Sequence, residues 1–209
     1  METETVLQFE QLSDEAKQRA REWWLEGFEF EPEYESFETA AKILGITFNT
    51  HEVKLMNGKT RHEVNIWWSG FWSQGDGACF TGSYKFEPGC AEAIRKEFPT
   101  DSTLHEIADS LMALQCRLRL LEGKSMNGII SQNDNRYSHS GMMSVTATDD
   151  EGDELSLVVS NELQDSMRSF ADWIYRSLEE EYHYQTSDEA VDETIIANEY
   201  EFDEDGECL

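Results

Sequence analysis

The sequence predicts an α+β fold: an antiparallel sheet of about four to six strands, built around two hairpins, with helices packed mainly on one face. Three observations carry this. Between positions 46 and 86 apolar residues recur at period two, interrupted by Asn57-Gly58 and by the Gly-rich stretch from Gly70 to Gly77. On both sides of that region the period lengthens to 3.6. Six Trp among 209 residues, with 39% hydrophobic composition, supply a substantial core and exclude disorder for most of the chain.

Taken in order, Ser13 or Asp14 can cap a helix running to about Gly27, and its apolar positions Ala16, Ala20, Trp23 and Trp24 read as core anchors. A second helix follows Pro32, with Tyr34, Phe37, Ala40, Ala41 and Leu44 on one side and Gly45 as its stop. Met56-Asn57-Gly58-Lys59 predicts a two-residue type I′ hairpin, because that turn needs φ > 0 at both central positions. The register would set Leu55 opposite Thr60, Val53 opposite His62 and His51 opposite Val64, with Trp67 pointing outward. His51 and His62 then become diagonal neighbours on the apolar face. No carboxylate or thiolate of the hairpin shares that face, so core or edge histidines are expected rather than a metal pair.

A third strand from Ala78 to Phe86 would complete a meander. Pro88 opens a short helix that Pro99 closes, and a longer helix covers about Thr103 to Gly123. Ser125 to Ser131 reads as a strand, although Asn127-Gly128 also fits a turn. A further strand follows Tyr137. The acidic run from Asp149 to Glu154 lacks the ligand spacing of a calcium loop and is expected to be a solvated turn. Ser160 can cap a long helix with Leu163, Met167, Phe170, Ala171, Ile174 and Leu178 as its stripe. Ser187 can cap a short helix through Ala197, and Tyr200 to Phe202 can form a last strand. One domain over 1–178 is expected, with 179–209 as an acidic C-terminal extension packed on it.

Charge is the outstanding global property: 44 Asp and Glu against 16 Lys and Arg, a formal net charge of -28. Such a surface repels nucleic acid and anionic lipid, so direct binding to either is not expected. It serves solubility alone, or it is read by a basic partner. After Arg176 the chain has no Lys or Arg, and Glu179, Glu180, Glu181, Asp188, Glu189, Asp192 and Glu193 are the partner-binding candidates. The four cysteines have no C-x-x-C spacing, no export signal precedes them, and no apolar run reaches a membrane span. Free thiols, a cytoplasmic location and neither structural zinc nor another cofactor are expected.

The stretch NIWWSGFWSQGDGACFTGSY, from Asn65 to Tyr84, is the best site candidate. Three glycines in eight residues allow close approach of another segment or a ligand. Trp72 can stack on a base or sugar, Gln74 and Asp76 can hydrogen-bond, and Tyr137 and His139 lie before a strand that can neighbour the loop. Asp76 with His139 would make an acid-base pair. The competing structural reading is that Gly75-Asp76-Gly77 forms an Asx-type turn, with Trp72 covering a sheet end.

Four stretches, LSDEAKQRAREWW, IWWSGFWSQGDGACFTGSY, YSHSGMMSV and FADWIYRSLEEEYHYQTSDEAVDETIIANEYEF, resemble a widespread family of uncharacterised proteins encoded by phages and prophages. The resemblance spans nearly the whole chain in the same order. Some members of that family carry the name toxin-antitoxin antitoxin. No catalytic residues come with it, and what it implies is a phage accessory setting in the host cytoplasm, where inhibition of host defence is common. The favoured function is a non-enzymatic inhibitor of the anti-CRISPR or antirestriction type, acting as an acidic nucleic-acid mimic on a host protein with a basic nucleic-acid-binding surface. The alternative is a small-ligand or catalytic site at Trp72, Asp76 and His139. A third reading is an interaction protein, a homo-oligomer included, that uses Trp67 and the Tyr200 to Phe202 edge.

Overall fold

The computed structural model describes residues 6–56, 58–133 and 137–209. Its elements in chain order are β1 (Leu7–Gln8), α1 (Asp14–Glu26), α2 (Glu35–Leu44), β2 (Ile46–Phe48), β3 (Thr50–Lys54), β4 (Thr60–Val64), β5 (Ile66–Trp68), β6 (Ala78–Phe80), β7 (Gly82–Lys85), α3 (Cys90–Glu97), α4 (Ser102–Glu122), β8 (Asn127–Gln132), β9 (Met143–Thr148), α5 (Leu157–Gln185), α6 (Asp188–Ala197) and β10 (Glu201–Phe202). Helices and antiparallel strands together make an α+β fold. The chain divides into two compact units, residues 33–177 and residues 1–32 with 178–209. This differs from the expected domain over 1–178 with an appended 179–209, because the two chain ends share a core of their own.

In the larger unit the strand order is β2-β7-β8-β9, all antiparallel. Across it Thr47, Ser83, Ile129 and Thr146 stand in register on one face, all exposed. The opposite face carries Ile46, Tyr84, Ile130, Val145 and Ala147, all buried. Leu163, Met167, Phe170, Ala171 and Ile174 of α5 are fully buried, and α5 meets the sheet at Gly128, where a Cβ would lie 2.8 Å from Leu163 Cδ2. Asn127-Gly128 is therefore strand rather than turn: the missing side chain admits the helix.

Ser160, expected as the cap of α5, lies inside it. Its Oγ accepts from the Ala147 N–H of β9 at 3.1 Å, while Ser156 Oγ accepts from Val159 N–H at 3.4 Å in the first turn. Asp149, in the acidic turn, is buried: Lys124 Nζ approaches its Oδ2 at 2.8 Å and the N–H groups of Glu151 and Asp153 both donate to its Oδ1 at 3.0 Å.

The expected meander is replaced by a three-way junction. The strands β2-β3, β4-β5 and β6-β7 each change partner at one residue, Asn49, Asn65 and Thr81 respectively, so that β2 pairs with β7, β3 with β4 and β5 with β6. At the centre Asn49 N–H donates to the Thr81 carbonyl (2.9 Å), Thr81 N–H to Asn65 (3.1 Å) and Asn65 N–H to Asn49 (2.7 Å), closing a ring. No backbone group of the three is wasted at the split.

The register of the β3–β4 hairpin is one residue off the expected one: His51 faces Glu63, Glu52 faces His62 and Val53 faces Arg61. Leu55 N–H donates to the Lys59 carbonyl at 2.8 Å, which leaves three residues in the connection, with Gly58 at φ 78°. The Asn65-to-Asn49 bond fixes pairing at the junction end, and the longer loop absorbs the difference. A one-residue slip reverses the faces of β4, so His51 and His62 lie on opposite faces, both exposed, and Arg61 pairs with Glu63 on its own side. Trp67, expected outward, is half-buried beside the fully buried Cys79.

The smaller unit packs α1 against α6 around Phe9, Leu12, Ala16, Ala20, Val191, Ile195 and Phe202. Ser13 and Ser187 cap the two helices through Oγ, accepting from Ala16 N–H at 3.2 Å and Ala190 N–H at 3.3 Å. β10 pairs with β1, so the Tyr200 to Phe202 edge is occupied within the chain and Phe202 is buried. Trp24 packs against this core and Trp23 meets Phe202 edge-on at 5.9 Å, so the two anchor its edge rather than its centre. Neighbouring helical positions point about 100° apart, so the pair straddles the margin: Trp24 is half-buried and Trp23 remains 38% exposed.

Candidate functional site

The Gly-rich loop is held from three sides. At its neck Ser69 N–H donates to the Gly77 carbonyl and Gly77 N–H to Ser69 Oγ, both at 3.1 Å. Inside, Asp76 Oδ2 accepts from Trp72 N–H at 2.8 Å and Ser73 N–H at 2.6 Å. From outside, Tyr175 OH donates to the Gly70 carbonyl at 3.1 Å, and the Phe71 ring stacks on Trp68 at 5.4 Å. The Ser73 N–H, with that of Trp72 adding and burial opposing, holds the Asp76 carboxyl below its ordinary value. Asp76 is thus an ionised staple that shapes the loop.

Gly77 brings this loop to His139: a Cβ there would lie 2.7 Å from His139 Cβ. The two polar groups nevertheless each end on local backbone, because His139 Nδ1 accepts from Gly141 N–H at 3.1 Å and its remaining ring proton sits on Nε2. Trp72 is 76% exposed, Gln74 and Tyr137 are exposed, and the Tyr137 ring lies 6.2 Å from that of His139. The arrangement offers aromatic and amide contact surface on a fixed scaffold. Among the described residues no group of three or more His, Cys, Asp or Glu is placed to hold a metal ion, and no helix is long and apolar enough to cross a membrane.

The acidic candidates Glu179, Glu180, Glu181, Asp188, Glu189, Asp192 and Glu193 all belong to the smaller unit. By sequence, residues 1–32 and 178–209 hold 22 Asp and Glu against three Lys and Arg, a net of -19. Of these cations, Arg21 forks onto Asp192 at 2.6 and 2.7 Å and reaches Asp188 at 3.3 Å. Arg19 meets Asp205 at 3.1 Å, and Lys17 lies 5.7 Å over the Phe9 ring. Gln185 Nε2 donates to Glu181 at 2.9 Å. The -28 of the whole chain is therefore concentrated, and two of the three cations in this unit are spent on ion pairs within it.

Periodicity alone did not reveal a groove of about 670 Å³ at the end of α1, lined by Trp23, Trp24, Phe28, Tyr200, Glu26 and Glu29. The signal was present in the adjacent tryptophans, whose separation of about 100° around the helix leaves part of their ring surface outside the core they touch. No curated protein and no solved structure matches the chain. A family model matches residues 30–188, which is most of the chain, and the protein belongs to that family, described as a domain of unknown function, DUF8835.

Proposed function

We propose that this protein acts by binding: its acidic unit occupies a basic nucleic-acid-binding surface of a host protein and so antagonises a host defence system of the CRISPR or restriction kind. The observation that carries the reading is the segregation of charge, with -19 of the formal -28 in residues 1–32 and 178–209. Duplex DNA carries one charge per about 1.7 Å, so 22 carboxylates match the phosphates of about one helical turn. An acidic surface kept for solubility has no need of such asymmetry. The phage setting is the one the resemblance implies. A tagged full chain, incubated with host lysate at low salt, should retain a nucleic-acid enzyme that added duplex DNA displaces. Recovery of no nucleic-acid-binding protein would sink the reading.

A second reading, a small-ligand site at the Gly-rich loop, is favoured by one observation: Trp72 is highly exposed on a loop pinned by Asp76 and Tyr175. An exposed indole on a pinned loop presents a flat face on which a base or sugar can stack.

A further inference from the structure

We propose that the groove at the C-terminal end of α1 takes an arginine side chain from a basic segment of a partner protein. The inference rests on the reading of a basic partner and names where one of its cations is held.

Three features converge there. The groove is walled by two aromatic pairs, Trp23 with Tyr200 at 5.2 Å and 79°, and Trp24 with Phe28 at 5.1 Å and 30°. Ring faces attract a guanidinium, and an arginine can lie flat on one while donating from its edge. Glu26 and Glu29, both exposed, supply carboxylate acceptors in the same lining. The third feature is the helix itself. The last turn of α1 holds no basic residue, yet Glu26 is its final position. A helix C-terminus carries partial negative charge that Lys or Arg ordinarily offsets, and a carboxylate there adds to it. Negative charge thus gathers at a spot that aromatic rings line, which suits an incoming cation.

Arginine fits better than lysine, because its planar guanidinium can stack on an aromatic ring of the lining while its fork of donors meets the carboxylates of Glu26 and Glu29. Nucleic acid is the wrong occupant despite the stacking surface, since its phosphates would face a unit of net -19.

The test uses the full chain titrated with two short peptides of alternating Gly and Arg or Gly and Lys, read by calorimetry and by the indole N–H resonances of Trp23 and Trp24. The Arg peptide should bind more tightly than the Lys peptide and shift both indoles. Glu26→Gln with Glu29→Gln should weaken it by about tenfold or more, whereas Glu10→Gln with Glu15→Gln, exposed acids of the same unit away from the C-terminal end of α1, should change it by less than about twofold. Equal weakening by the two pairs, or equal binding of both peptides with unmoved indoles, would overturn the groove assignment. Either result leaves the wider partner reading to its own test, the DNA-displaceable capture, which does not depend on Glu26 or Glu29.

Discussion

Asn65 and Thr81 are tied twice: Thr81 N–H donates to the Asn65 carbonyl at 3.1 Å, and Asn65 Nδ2 donates to Thr81 Oγ1 at 3.2 Å. Asn49 Nδ2 also reaches that hydroxyl at 3.4 Å, and His51 Nδ1 meets Asn65 Oδ1 at 2.8 Å. Side chains thus brace the point where three strand pairs exchange partners. Thr81→Val keeps the shape but removes the shared acceptor, and should cost about 1–2 kcal/mol in urea unfolding. Thr81→Ser, which keeps the hydroxyl, should cost less. Equal losses would assign the effect to packing.

Gly45 and Gly152 both have positive φ, 82° and 89°, but only Gly45 is crowded: a Cβ there would lie 2.0 Å from the Lys85 carbonyl oxygen, whereas Gly152 has open space. Gly152→Ala should cost about 1 kcal/mol from the backbone alone. Gly45→Ala should cost clearly more, since Lys85 is held in the sheet and also donates its N–H to the Gly45 carbonyl at 2.8 Å. Paired thermal melts decide it.

The four thiols should separate by reactivity. Cys116 is exposed, whereas Cys79 and Cys90 are buried. Desolvation pushes Cys79 up to about 11 and raises Cys90. Native alkylation at neutral pH should modify Cys116 first and spare Cys79 and Cys90 until denaturant is added. Early labelling of Cys79 would mean that the β5–β6 arm opens readily.

Acid should weaken the fold through Asp149. Its carboxyl is held below the ordinary value, first by Lys124 and then by the Asp153 and Glu151 N–H groups, with burial opposing. A depressed folded value means stability that is present above the unfolded pKa of about 3.9 and is lost as pH falls through the folded one. Protonation of the many other acids relieves repulsion over the same range, so the comparison is with Asp149→Asn. The stability gap between the two should be constant near neutrality and shrink below about pH 4.

Salt should stabilise rather than destabilise the protein. With 22 acids against three cations in 64 residues, repulsion outweighs the few ion pairs. Raising ionic strength from about 10 mM to about 150 mM shortens the screening length from about 30 to about 8 Å and should raise the melting temperature. A fall would show that the Arg21 and Arg19 pairs dominate.

Helix positions, caps and stops were legible in the sequence because they depend on neighbours a few residues away: Ser13 and Ser187 cap as expected, and Gly45 ends α2 at φ 82°. Ser160 failed as a cap because its hydroxyl has a partner 13 residues away, on β9. At the candidate site, the exposed Trp72 and the closeness of loop and His139 were within reach of sequence reasoning. The direction of the Asp76 carboxylate was not, since an Asx turn and a proton-transfer pair use the same residue type.

By itself, then, the sequence determined the α+β class, the local starts and stops, and the excess of negative charge, all of which follow from propensity, period and composition. Only the tertiary structure decided the hairpin register, the junction at Asn49, Asn65 and Thr81, the pairing of the chain ends, and hence where the charge gathers. The reason is that β3 and β4 bury no residue, so no core face selects their register, and period two fits several strand orders. What selects among them is a set of backbone bonds between residues far apart in sequence, such as Asn49 to Thr81, and the fit of Leu163 over Gly128, neither of which leaves a mark in local pattern.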